Sequence, residues 1–88
     1  MSFLSKLFGG KPKEVEPDLY GDYRIYPEPQ KEGTQYRVAG RVEKDFDGET
    51  KTHDFVRADM AGSEESAVET TIRKARLLVD QQGDRIFR

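Results

Sequence analysis

The sequence predicts an α+β fold, a three-stranded antiparallel sheet in β-β-β-α order with one long C-terminal helix packed on one face. Three observations predict it. Two runs of strand character flank Asp47-Gly48, an apolar stripe of helical period runs from Val68 to Val79, and Tyr23 and Ile25 begin a short alternating run that Pro27 and Pro29 close. Eighty-eight residues allow one small domain. A chain of this length hides only roughly 60 to 65% of its unfolded surface, so the core must be modest.

Residues 1–10 read MSFLSKLFGG. Phe3, Leu4, Leu7 and Phe8 fall at i, i+1, i+4 and i+5, so a short helix would gather them on one side with Lys6 off it. Two turns do not persist alone in water. The segment therefore frays, docks on a protein face in cis or on a second copy, or rests weakly on a bilayer with Lys6, Lys11 and Lys13 nearby. Interrupted apolar residues argue against a secretory signal, and Ser2 excludes N-myristoylation. Residues 11–22, with two prolines and alternating charges, read as a flexible linker, which leaves 23–88 as the folded domain.

In that domain Tyr23 and Ile25 share one side of the first strand, and EPQKEG connects it to the second. Residues 34–44 and 49–59 form a hairpin, because Asp47-Gly48 readily takes the positive φ angles of a type I′ turn. Setting Phe46 opposite Glu49 places Val42 opposite His53, Gly40 opposite Phe55 and Val38 opposite Arg57 on one face. Arg41 opposite Asp54 and Ala39 opposite Val56 then lie on the other, with Arg41 and Asp54 as a cross-strand ion pair. Val56 thus falls on the open face, marking a dimer contact or a register displaced by one. The helix follows over 63–82, with Ser63 as its cap and Glu64 and Glu65 at the positive end of its dipole. Val68, Ile72, Ala75 and Val79, flanked by Thr71 and Leu78, cover the sheet, while Glu69–Arg73 and Arg76–Asp80 pair outside. Gly83 stops the helix, and Ile86 and Phe87 fold back.

Chemistry is sparse. There is no cysteine, hence no disulfide and no thiolate ligand, which suits a cytoplasmic protein. Glu43, Asp45, Asp47, Gly48 and Asp54 take positions 1, 3, 5, 6 and 12 of a calcium loop, but strands flank them and Thr50 stands where an apolar residue belongs. His53 is the single histidine, with no marked partner, and reads as a packed or half-exposed ring. The serines lack a nucleophile-elbow setting, and Gly9-Gly10-Lys11 lacks the phosphate-loop spacing. No catalytic residue, cofactor or metal is expected. Fifteen basic against seventeen acidic residues give a net charge of −2, so phosphate backbones find no general attraction. The order of elements matches double-stranded-RNA-binding domains, but the helix starts GSEESAVE, which repels phosphates. Arg37 and Arg41 point from the open face, where Glu43 and Asp54 offset them, so direct DNA contact is weakly supported.

The combination of GDYRIYPEPQKEGTQYRVAG, HDFVRADMAGSEESA and KARLLVDQQGDRIF resembles the bacterial HlyU family over residues 20–87, and FLSKLFGG is similar to the opening of relatives. The family name denotes a transcriptional activator of haemolysin genes, so the resemblance implies a regulatory role in a bacterial cytoplasm. It supplies no site residues, and the chain has no helix-turn-helix pair. The expected function is that of a small non-enzymatic regulator acting through DNA or another protein. The alternative is an interaction module in which residues 1–10 and the open sheet face dock a protein or a membrane. The candidate interaction residues are Phe3, Leu4, Leu7, Phe8, Arg37, Arg41 and Val56. The expected partners are a protein, then a membrane surface or a second copy of the chain, with DNA the weaker candidate.

Overall fold

The computed structural model describes residues 16–88; the expectations for Phe3, Leu4, Leu7 and Phe8 lie outside them. The α+β class stands, but the described sheet has five strands rather than three. In chain order the elements are β1 (Asp18–Tyr20), β2 (Tyr23–Pro27), β3 (Gln30–Glu32), β4 (Gln35–Phe46), β5 (Glu49–Ala61) and α1 (Glu64–Gln82), followed by a 3₁₀ turn (Gly83–Phe87). All pairings are antiparallel.

The two additional strands come from stretches read as linker and connection. β1 pairs with β2 through a two-residue turn whose first position, Gly21, has φ +62°. Glycine there matches a II′ turn, whose twist suits a hairpin. The sheet consequently begins at Asp18, inside the segment 11–22. Beyond Pro27 the Glu28 N–H donates to the Ala39 carbonyl at 2.8 Å, so the chain keeps its course beside β4 through the two prolines. β3 then continues along the edge of β4 that β2 occupies, since β5 takes the other. The order across the sheet is β1, then β2 and β3 end to end, then β4, then β5 at the far edge.

The Asp47-Gly48 turn forms as expected, with φ of 52° and 84°. Phe46 lies opposite Glu49, Val42 opposite His53, Gly40 opposite Phe55, Arg41 opposite Asp54 and Ala39 opposite Val56. The expected Val38–Arg57 pairing does not form. A bulge sets three residues of β5, 57–59, against Val38 alone, and pairing resumes at Arg37–Met60. Two extra residues preserve the alternation, so Met60 stays on the same face as Val56.

Ser63 Oγ accepts from the Ser66 N–H at 3.1 Å and caps α1. Ala67, Thr71, Ala75 and Val79 form the buried stripe of α1, facing Ile25, Val38 and Val42, each fully buried. Burying side chains of this size stabilises by about 1.5 to 3 kcal/mol each. The buried Thr71 hydroxyl donates to the Ala67 carbonyl at 2.7 Å, and no buried side-chain polar atom among the described residues is orphaned. Gly83, at φ +57°, donates its N–H to Val79 O and turns the chain. Ile86 enters the core, and Phe87 stacks on Tyr23 and meets Phe46 edge-on, as expected of the tail.

Two predicted ion pairs have other partners. Arg76 grips Asp18 of β1 with both nitrogens at 2.9 Å, and Asp80 accepts from Tyr20 Oη at 2.6 Å. Arg41 turns from Asp54 to Glu28 and Glu43. The Asp84 carboxylate receives Tyr23 Oη at 2.6 Å and Lys44 Nζ at 2.9 Å. These contacts tie α1 and the tail to the β1–β2 side of the sheet.

A methyl group at Gly40 would sit 2.6 Å from the Tyr26 carbonyl oxygen and 3.0 Å from Thr71 Cγ2. Gly40→Ala is therefore expected to cost about 1 to 3 kcal/mol, whereas at Gly62, where nothing lies within 4 Å, alanine shifts stability by at most about 1 kcal/mol. Urea unfolding of both variants checks the contrast. Tyr23 adds an alkaline signature. Burial first, then its bond to Asp84, pushes the Tyr23 hydroxyl up to about 12. The unfolded chain releases this proton near pH 10, so stability present below that value falls as pH rises from about 10 to 12. Tyr23→Phe removes this part of the alkaline loss, which urea midpoints across the same range will show.

Candidate functional site

Alternation along β4 sends Arg37, Ala39, Arg41, Glu43 and Asp45 to the face opposite α1. Arg37 and Arg41 project there, as the sequence implied. Neither is a bare cation. Arg37 Nε and Nη2 hold Glu32 at 2.5 and 2.9 Å, and Nη1 donates to the Arg57 carbonyl at 3.1 Å. Arg41 donates to Glu43 Oε2 at 2.9 Å and to Glu28, and its guanidinium lies 4.0 Å over the Tyr26 ring.

A third guanidinium extends the pattern. Arg24 of β2 reaches both oxygens of Asp45 at 3.1 and 3.3 Å and Glu43 at 3.5 Å, and Thr50 Oγ1 donates to Asp45 at 2.6 Å. The open face thus carries a band of alternating charge in which each arginine holds at least one carboxylate. The hydrogen bonds from Arg37 keep Glu32 below the ordinary carboxylate range, and those from Thr50 and Arg24 do the same for Asp45. Sequence reasoning credited the neutralisation to Glu43 and Asp54. The partners it missed, Glu28 and Glu32, are brought alongside by the proline bend and β3, and the glycine of the EPQKEG stretch was their only signal.

Val56 stands on this face, 59% exposed, opposite the buried Ala39, with Met60 farther along the strand. Its exposure belongs to the correct register, since every pairing from Phe46–Glu49 to Ala39–Val56 is in place. On the opposite face α1 packs mainly on β4 and leaves an open groove beside β5 of about 340 Å³. His53, Phe55, Lys74, Ala75 and Leu78 line it from the helix side of the sheet. The His53 and Phe55 rings stack at 6.4 Å, and Lys74 reaches Asp59 at 3.1 Å. The groove depends on where α1 crosses the sheet, and no local motif announces it.

Among the described residues no three or more His, Asp or Glu side chains gather as a metal-binding group. What the described surface offers is a neutralised polar face, a strand edge and a partly apolar groove.

A family model described as transcriptional activator HlyU matches residues 2–87, nearly the whole chain. No curated protein matches the chain, and no solved structure does.

The Arg37–Glu32 contact is testable by titration. In the native chain the Glu32 carboxyl should titrate below its ordinary 4.5, and in Arg37→Gln it should return toward that value. Because the folded-state value is the lower one, the contact's contribution is present above the ordinary range and is lost as pH falls through the folded value. Carboxyl chemical shifts followed by NMR against pH measure the change, and the exposed pair should contribute little to overall stability.

Proposed function

The chain belongs to the HlyU family, and from that membership we propose that it is a small, non-enzymatic transcription regulator acting in the cytoplasm through a protein partner rather than by reading DNA with its sheet. The observation that carries the choice of partner is the occupation of Arg24, Arg37 and Arg41 by carboxylates. A phosphate approaching this face would have to displace contacts of 2.5 to 3.1 Å that are already charge-assisted. The start of α1 adds Glu64 and Glu65, where a phosphate-binding helix needs its positive end uncovered.

A protein partner meets no such obstacle. The β5 edge and its groove present backbone groups, Phe55 and Leu78 together, the combination that strand- and peptide-docking surfaces use. No described helix is long and apolar enough to cross a membrane, which is consistent with the cytoplasmic assignment.

Labelled promoter fragments from the host, mixed with the full chain at low salt, test the reading. The expected result is no mobility shift with the chain alone and a shift once a host protein fraction is added. A salt-sensitive shift by the chain alone that Arg37→Gln and Arg41→Gln abolish would establish direct DNA contact and overturn the proposal.

A further inference from the structure

We propose that two copies of this chain join edge to edge through β5, with their strands antiparallel about a two-fold axis that runs perpendicular to the sheet midway between the two copies of His53. The inference goes beyond the regulatory reading and does not depend on it, but it gives the β5 edge to a second copy in place of another protein.

Among the described residues β5 is the outermost strand on its side of the sheet, and it spans Glu49–Ala61. Such an edge carries unpaired backbone donors and acceptors, and proteins usually blunt it with bulges or charge. Here the bulge lies only beyond Val56, and from Glu49 to Val56 the strand runs in unbroken register with β4. Apolar surface flanks the edge on both faces, with Phe55 and Leu78 in the groove on the helix side and Val56, 59% exposed, on the other.

The order of charges selects the occupant. A two-fold axis perpendicular to the sheet matches like faces, so one residue must face its own copy across it. Centred on His53, it sets Glu49 opposite Arg57 of the second copy, Lys51 opposite Phe55, Thr52 opposite Asp54 and Thr50 opposite Val56, each pairing made twice. Opposite charges meet at both ends, a cation lies by an aromatic ring, and a hydroxyl faces a carboxylate. The neighbouring centres do worse. Asp54 or Lys51 at the axis would set a charge against its own copy, Thr52 would set Lys51 beside His53, and Phe55 or Val56 would draw all three bulged residues 57–59 into the ladder, where the His53 centre takes only the first, Arg57, at its end. Both helices fall on one side of the joined sheet, so each copy's edge closes the other's groove.

Sedimentation of the full chain from micromolar to millimolar concentration is the test. The mass should rise from one chain to two. Arg57→Glu and Glu49→Arg, both at exposed positions, should each weaken association about tenfold by opposing like charges at both ends of the ladder. The double reversal should restore it, with circular dichroism showing the fold unchanged in all variants. A chain that stays monomeric throughout, whether the edge is left bare or covered by its own residues 1–10, overturns the proposal. So does a dimer that neither single reversal weakens, or a loss that the double reversal fails to recover.

Discussion

The structure depends on how closely α1 can approach β4. At Gly40 the sheet has no side chain, and the helix answers with Thr71 directly above it and with Ala67 and Ala75 one turn to either side. Small residues on both surfaces let the backbones draw together, so branched side chains at Ile25, Val38, Val42 and Val79 complete a thin, close-packed core. Phe55, opposite Gly40 on β5, lies across the uncovered backbone. A larger residue at any of these points would lift the helix and uncouple Val79 and Ile86 from the strands they cover.

The same economy explains why the open face is built from ion pairs. One helix supplies one layer, and among the described residues no second layer covers the other side of the sheet. Arg24, Arg37 and Arg41 sit at alternate positions with carboxylates within reach, which satisfies the guanidinium donors and leaves the surface close to neutral. Each exposed pair contributes little by itself. Their combined effect is on recognition, since a face of matched charges does not draw in a polyanion, and its exposed large apolar side chains are Val56 and Met60 on β5 and Leu19 on β1.

What could be read in advance was whatever a local signal governs. Asp47-Gly48 determined the hairpin register because its turn chemistry and the alternation on β4 agree, and Ser63 with the stripe from Ile72 to Val79 determined the helix. β1 and β3 were missed because three residues such as DLY or QKE become strand only when a neighbour supplies the ladder, although Gly21 and Gly33 marked their turns. The bulge at 57–59 also lacks a local sign. That gap carried into the site. The directions of Arg37 and Arg41 followed from alternation, but their partners Glu28 and Glu32 arrived with the unread strand, and Arg76 left its helical neighbour Asp80 for Asp18 of β1.

Geometry accounts for the asymmetry between the two edges. A helix with its side chains is about 10 to 12 Å across and strands lie about 4.8 Å apart, so one helix covers little more than two strands of a sheet four rows wide. On the β1 side the shortfall is made up by other groups. Arg76 and Asp80 reach down to Asp18 and Tyr20, and the 3₁₀ tail brings Ile86 and Phe87 over β2. On the β5 side Lys74 reaches Asp59 at the bulge and the 3₁₀ tail also meets the strand, but the span from His53 to Val56 is left with a groove above it. The free surface of the described residues is therefore concentrated beside His53 to Val56, on a strand whose register with β4 is unbroken from Glu49 to Val56.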